Sequence, residues 1–357
     1  MMASAVLNKM QLIGVKIMRR KFMNMQKYIL MMVSLAGFLV GGSVAVAGPP
    51  QPLVLSVAAH GHAAFHTIQA AINAVPVHSH RPVVIKIAAG TYKERVTIPS
   101  DDSHVALIGA GARKTIITYN LGAKEKSRLG HEIGTFHTPT VTILGRDISA
   151  AHLTFVNTYG KGSQAVAVRT GDGPVMFTHC RFIGWQDTLY LHNPHARIYL
   201  HRCMIQGAID FIFGKSRAVF DHCLIRSVGK GCITAPATPP HQPFGFVFLH
   251  CRLVATKAVH AGSVHLGRPW RPYGYVAFIH CSMGRQIAPD GWLNWDRTTY
   301  YKTARFYEFG STGPGAGPAK RVRWSHQLTP EKAAGMTVRV ILGRGPWSRK
   351  NRPGTKS

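Results

Sequence analysis

Acidic residues are scarce in this chain: 357 residues carry 14 Asp and Glu against 43 Lys and Arg, a formal net charge of +29. No acid pair has calcium-site spacing, so a calcium protein is set aside. Cys-x-x-Cys pairs, zinc-finger spacing, a basic zipper and an RNP-like aromatic run are all missing, which removes the common nucleic-acid readers. A Gly-x-Ser-x-Gly elbow is missing too, and with it the usual serine hydrolase. Long amphipathic helices do not intervene between the strand-like runs, which argues against a doubly wound parallel sheet. Regular Asn-Gly or Asp-Gly hairpin turns, which a sandwich favours, are not the recurring punctuation.

What is present begins with an export signal. Lys16, Arg19, Arg20, Lys21 and Lys27 precede an apolar run from Tyr28 to Val40, and Ala45-Val46-Ala47 offers a small-residue cleavage site. The run is short for a membrane span. Residues 1–47 are therefore expected to be a removed signal peptide, with Met18 or Met23 as starts that give it ordinary length, and the protein is expected to be secreted or periplasmic. Six of the 43 basic residues and none of the 14 acids lie in 1–47, leaving +23 for the mature chain. Such a balance suits a polyanionic partner, and in an exported protein an acidic polysaccharide suits it better than nucleic acid.

Residues 48–64 are rich in Pro and Ala and read as a linker. FHTIQAAINAVP (65–76) places Ile68, Ala71, Ile72 and Val75 on one helical face, ended by Pro76, and predicts a helix that caps a stack of coils. From Val83 the texture is short Val-, Ile- and Thr-rich runs punctuated by Gly, Asn, Asp or Pro, recurring every 20–30 residues to about 285. That recurrence predicts an all-β right-handed parallel β-helix, a single domain over 65–342. Insertions at 119–139, 234–245 and 256–275 are expected to rim a working face. Near the end, Thr329 and Pro330 predict an N-cap and first turn of a short helix, and the basic tail 343–357 reads as disordered.

Five of the six cysteines fall in look-alike segments, FTHCRF, LHRCMI, FDHCLI, FLHCRL and FIHCSM. Small thiols filling one inward column fit this pattern better than disulfides, and the accompanying histidines read as one outward position per coil rather than metal ligands.

Two acids carry the chemistry. Asp187 in GWQDTLY and Asp210 in GAIDFIFG lie 23 residues apart, as do Cys180 and Cys203, and 23 residues before Asp187 stands Gln164. One coil of that length puts equivalent positions about 4.8 Å apart. Two carboxylates so close in a desolvated groove do not both ionise cheaply, so one is expected to hold a proton while the other stays charged. Glu94, Asp172, Asp221, His192 and His195 read as structural or loop residues, and Trp185 as a wedge.

The words FHTIQAAINAVP, GTYKE, QAVAVR, GWQDTLY, IDFIFG, ITAPAT, LGRPW and STGPGA, in this order over nearly the whole mature chain, resemble the pectin methylesterase (pectinesterase) family. The resemblance implies a right-handed parallel β-helix and hydrolysis of methyl esters on polygalacturonate, without cofactor or metal. It implies Asp210 as nucleophile, Asp187 as general acid and then base, Gln164 and Gln186 as oxyanion donors, and Arg268 as the cation orienting the nucleophile. Trp270 is implied as a sugar-stacking platform, with Tyr190 and Phe213 as further groove contacts. The partner is then pectin, and a monomer is expected. The rival readings are a β-helix polysaccharide hydrolase, a related thioesterase, and a non-catalytic polysaccharide-binding envelope protein.

Overall fold

A computed structural model describes residues 51–79 and 81–348; the expected signal peptide and the last nine residues of the basic tail lie outside the described residues. Three walls of parallel strands wind around one core. A representative coil runs through Val175–Thr178 on the first wall, Arg181–Ile183 on the second and Leu189–Leu191 on the third, then returns to Arg197–His201 on the first. The walls contain eleven, eight and seven strands, all paired in parallel with the coil above and below, which gives the expected right-handed parallel β-helix.

Coil length varies. Leu189 pairs with Ile212 and Phe182 with Ile205, 23 residues on, but Ile198 pairs with Ala218, 20 on, and Val168 with Leu189, 21 on. The 23-residue interval belongs to one coil rather than to the whole solenoid.

Inside, identical side chains stack along the axis. Phe220, Phe248 and Phe278 are register partners with ring centroids 4.3 Å apart, and all three are fully buried. Each such ring removes some 150–250 Å² from water, about 4–6 kcal/mol of gross driving force before entropy is charged. Cys180, Cys203, Cys223, Cys251 and Cys281 form a second inward column and, with Cys232, are free buried thiols. The residue before each column thiol turns the chain from the first wall to the second. It is His179, Arg202, His222, His250 or His280, each with φ of 50–53°, and His152 precedes Leu153 in the same way at φ 58°. The recurring His-Cys pair is thus a corner: a left-handed residue turned outward, then a small apolar one turned in.

The structure departs from expectation at both ends. Within the stretch read as a linker, Leu53–Val57 forms the first strand, paired with Val83–Ile87, and its alternate residues Leu53, Leu55 and Val57 pack on the core. An edge strand has only one neighbour to complete, so five residues suffice, and so short an alternation is hidden by flanking Pro and Ala. The helix is shorter than predicted, Ile68–Asn73; Thr67 caps it, and Glu94 accepts from the N–H groups of Ile68 and Gln69 at 2.8 and 3.0 Å, the structural role read for it.

At the other end Thr329 caps Pro330–Ala334 as predicted, and a second helix, Val338–Leu342, follows. These helices and Trp347 cover the outer face of the first wall, on Met176, Tyr199, Val219 and Val247. Trp347, inside the tail expected to be disordered, is 4% exposed, donates from its ring to Gly343 O at 2.9 Å, and lies under Arg197. One apolar residue in a basic, Gly- and Pro-rich stretch is enough to pin the described part of that tail. Among the described residues no helix is long and apolar enough to cross a membrane.

Candidate active site

The corner between the second and third walls carries both acids. Asp187 precedes Leu189–Leu191 and Asp210 precedes Ile212–Gly214. The Leu189–Ile212 register and a bridge between Gln186 and Ile209 set them on successive coils, one strand spacing apart. Both occupy left-handed backbone, φ 63° and 48°, which a short side chain able to bond locally tolerates. The N–H of Asp187 donates to Ile209 O at 3.1 Å and that of Asp210 to Cys232 O at 2.7 Å, so the neighbouring coils fix the corner.

Arg268 arrives two coils later. Gly267 before it packs on Thr234, whose hydroxyl a β-carbon at 267 would overlap, and the Arg268 N–H donates to Thr234 O at 3.0 Å. From there the guanidinium grips Asp210 with both prongs, Nε to Oδ1 at 3.0 Å and Nη2 to Oδ2 at 2.7 Å. This bidentate geometry fixes the carboxylate plane as well as its charge. The guanidinium also lies 4.2 Å from the Trp295 ring centroid and 3.8 Å from Asp296 Oδ1.

Electrostatics separates the two acids. Burial, then the Asp210 charge, push the Asp187 carboxyl well above the usual carboxylate range, and Arg268 opposes only partly. Burial also raises Asp210, but the hydrogen bonds and charge of Arg268 hold the rise down. Burial lowers Arg268, yet Asp210 outweighs it and leaves the guanidinium more basic than usual. The expected asymmetry is present in this form: Asp187 holds its proton to higher pH, while Asp210 is raised less rather than left at its ordinary value.

Gln186 is partly buried beside Asp187, and its carbonyl accepts from the Ala165 N–H at 3.1 Å, so Gln164 and Gln186 come from adjoining coils. The 21-residue offset from Val168 to Leu189 means that Gln164 is not in the 23-residue phase of the two acids. It enters instead from the loop ahead of the third wall. Its carbonyl accepts from the Ala123 N–H at 2.9 Å, tying the 119–139 insertion to the corner, and Ser163 Oγ donates to its amide oxygen at 3.5 Å.

Beyond the acids an aromatic floor continues along the third wall. Tyr190 and Phe213 are register partners stacked at 4.5 Å, and Trp270 meets Phe213 edge-on at 5.8 Å. The three residues expected as groove contacts are thus brought together. Phe136, from the 119–139 insertion, is 44% exposed and stacks on Tyr190 at 5.2 Å. Tyr190 OH meets His192 Nδ1 at 2.6 Å, so His192 supports the floor. Lys161 lies 4.8 Å from the Trp185 ring, which is half-buried rather than a core wedge.

Phe136, Trp295, Asp296 and Lys161 were not legible as site residues. The insertion marked the region of Phe136, and GWLNWD offered Trp295, but neither lies on the coil period.

Comparison with known proteins agrees with this geometry. A family model described as Pectinesterase matches residues 54–345. The chain belongs to the pectinesterase family. It is 37% identical to Pectinesterase 31 of Arabidopsis thaliana over 78% of this chain and 89% of the relative. It spans about half the length of several longer Arabidopsis thaliana relatives whose names pair pectinesterase with pectinesterase inhibitor. Among solved structures, the pectin methylesterase from carrot superposes with a TM-score of 0.75 at 33% identity, covering 85% of this chain and 95% of that one. A pectin methylesterase in complex with a hexasaccharide gives 0.72 at 28% identity, over 81% and 96%.

Proposed function

We propose that this pectinesterase-family chain is an exported enzyme that removes methyl esters from pectin, releasing methanol and leaving carboxylates. The observation that carries the reading is the pairing of an Arg-clamped Asp210 with a more strongly protonated Asp187 one coil away. Such a pair supplies a nucleophile and an acid without a separate base to activate the nucleophile.

Asp210 attacks the ester carbonyl carbon through one carboxylate oxygen, while Arg268 holds the carboxylate in the attacking orientation. The charge that develops on the carbonyl oxygen is taken by the side-chain amides of Gln164 and Gln186, donors that are fixed before the reaction. Asp187 gives its proton to the departing methoxy oxygen, methanol leaves, and an anhydride joins Asp210 to the uronic acid. Asp187, now ionised, takes a proton from water; the hydroxide attacks the anhydride, Asp210 departs as carboxylate, and Asp187 is protonated again.

Tyr190, Phe213, Trp270 and Phe136 offer flat faces to sugar rings. The basic balance of the chain suits a product that gains negative charge as methyl groups are removed. The hexasaccharide bound by the related structure supports a groove that takes several sugars at once.

Methanol release from highly methylated pectin tests the reading. The mature chain is expected to release methanol without new reducing ends, and Asp210→Ala to lose activity by about 10⁴-fold or more. Near-parental activity in Asp210→Ala would reject the nucleophile, and reducing ends from the parent would favour a glycoside hydrolase.

A further inference from the structure

Away from the acids, at the corner between the first and second walls, the imidazoles form a continuous file. His152 stacks on His179 at 5.3 Å, His179 meets His201 edge-on at 6.3 Å, and His201 meets His222 at 6.2 Å. His250 and His280 continue the file at 5.1 and 5.5 Å. At its middle stands a carboxylate. Asp221 is the register partner of His201 and directly precedes His222.

Here we propose a binding site for a borderline divalent transition ion such as Zn²⁺, formed by His201 Nδ1, the Asp221 carboxylate and His222 Nδ1. The three ligand atoms all lie within 4.8 Å of one another. His201 Nδ1 is 3.1 Å from Asp221 Oδ2, and His222 Nδ1 is 2.6 Å from Oδ1. Ligands of a tetrahedral zinc at about 2.0–2.1 Å sit roughly 3.3–3.5 Å from one another, so the gathering requires only small rotations.

Backbone geometry converges the set. His201 and Asp221 point outward from adjacent strands, and the left-handed turn at His222, φ 53°, sets its ring beside the same carboxylate. The support is rigid on one side and open on the other. Tyr199, fully buried, donates its hydroxyl to Asp221 Oδ2 at 2.6 Å and orients the carboxylate from behind, as outer-shell partners do in metal sites. The His201 and Asp221 side chains are 13% and 15% exposed, whereas His222 is 54% exposed, which leaves an approach for an ion and its remaining water ligands.

Two imidazoles and one carboxylate suit zinc, copper or nickel, not calcium or magnesium. Each neutral ring carries one proton; with that proton on Nε2, Nδ1 presents its lone pair to the ion. Without metal the same atoms close as a hydrogen-bonded triad. The site is distinct from the catalytic corner and takes no part in ester hydrolysis.

The test is a Zn²⁺ titration of the mature chain, made without a polyhistidine tag, in competition with a chromophoric chelator. Wild type should bind one ion more tightly than any other. His222→Asn keeps a residue that accepts left-handed backbone and should weaken that ion at least about tenfold; Tyr199→Phe should weaken it about tenfold. His250→Asn, which removes an exposed imidazole of the same file, should leave it unchanged. Cu²⁺ loaded into wild type should show nitrogen hyperfine structure from two rings by EPR, and His222→Asn only one. Absence of a distinct tight ion, His222→Asn binding as wild type does, or an equal loss in His250→Asn would overturn the proposal in favour of a hydrogen-bonded triad or diffuse surface imidazoles.

Discussion

Two corners of each coil solve the same backbone problem with opposite chemical results. Between the first and second walls the left-handed residue is mostly His, turned outward, followed by a buried thiol. Between the second and third walls, on two successive coils, it is Asp187 and Asp210, both buried. Left-handed backbone admits Asp, Asn and His more readily than other residues with side chains, so both corners draw on one short list. What separates them is cover. The 119–139 insertion and the segment from Arg268 to Asp296 bring Phe136, Trp270, Trp295 and a guanidinium to the acid corner, and desolvation there shifts both carboxyls. At the acid corner a required turn residue becomes a reagent; at the imidazole corner it remains mostly a surface residue.

Asp187→Asn should give the largest divergence between the corners. Methanol release should fall about 10³-fold, the scale of a lost general acid, while the protein becomes more stable at neutral pH. The sign follows from the raised carboxyl. The folded chain holds this proton above the unfolded value near 4, so stability falls as pH climbs from there through the folded value. Asn removes that loss, and each tenfold of shifted proton affinity is worth about 1.4 kcal/mol. Urea melts at pH 4 and pH 8 check it: the variant's advantage should be confined to pH 8. Lower stability at pH 8 would mean that the Asp187 carboxyl is not destabilised by burial.

Arg268→Lys comes next, with a loss of about 10²-fold in kcat, comparable to one preorganised donor. A lysine keeps the charge but not the two-pronged grip on Asp210. Since Asp210 attacks only when ionised and burial already raises it, wild-type activity should fall on the acid side at a pH above the ordinary carboxylate range. In Arg268→Lys that limb should move higher still. An unmoved limb in a pH–rate profile would detach Arg268 from Asp210's ionisation.

Much of this arrangement was legible before any coordinates, for reasons that differ by residue. Side chains stacked one per coil repeat in sequence, so the Cys column and the Asp187–Asp210 pair announced themselves by spacing. Residues that reach the site from insertions have no such phase. Phe136 is fixed by its stacking on Tyr190, Trp295 by the guanidinium, and neither contact has a sequence period. Gln164 illustrates the limit: its motif pointed to the site while its spacing did not, because the coil before Asp187 is shorter on the third wall. Leu53–Val57 and Trp347 were hidden because each completes a surface supplied by other segments, the first wall's open edge and Tyr199.

Phe136→Ala asks whether the insertion belongs to the catalytic corner. Removing a half-exposed ring stacked on Tyr190 at 5.2 Å should raise KM for pectin about tenfold and leave kcat within about twofold, since stacking contributes roughly 0.5–1.5 kcal/mol. A fall in kcat with KM unchanged would place Phe136 in support of the acids rather than in the groove.

The smallest effect tests the shared backbone itself. His250 has φ 53° and stacks between His222 and His280. His250→Asn and His250→Ala both abolish the stacking, so the difference between them isolates the left-handed turn. Alanine should be less stable than asparagine by about 1 kcal/mol, with methanol release unchanged in both. Asp210→Asn and Asp210→Ala provide the matching pair across the coil: both should lose turnover, and asparagine should again melt higher. Were the two pairs to rank differently in urea, the acid corner would owe its geometry to Arg268 and the insertions rather than to the turn it shares with the imidazole corner.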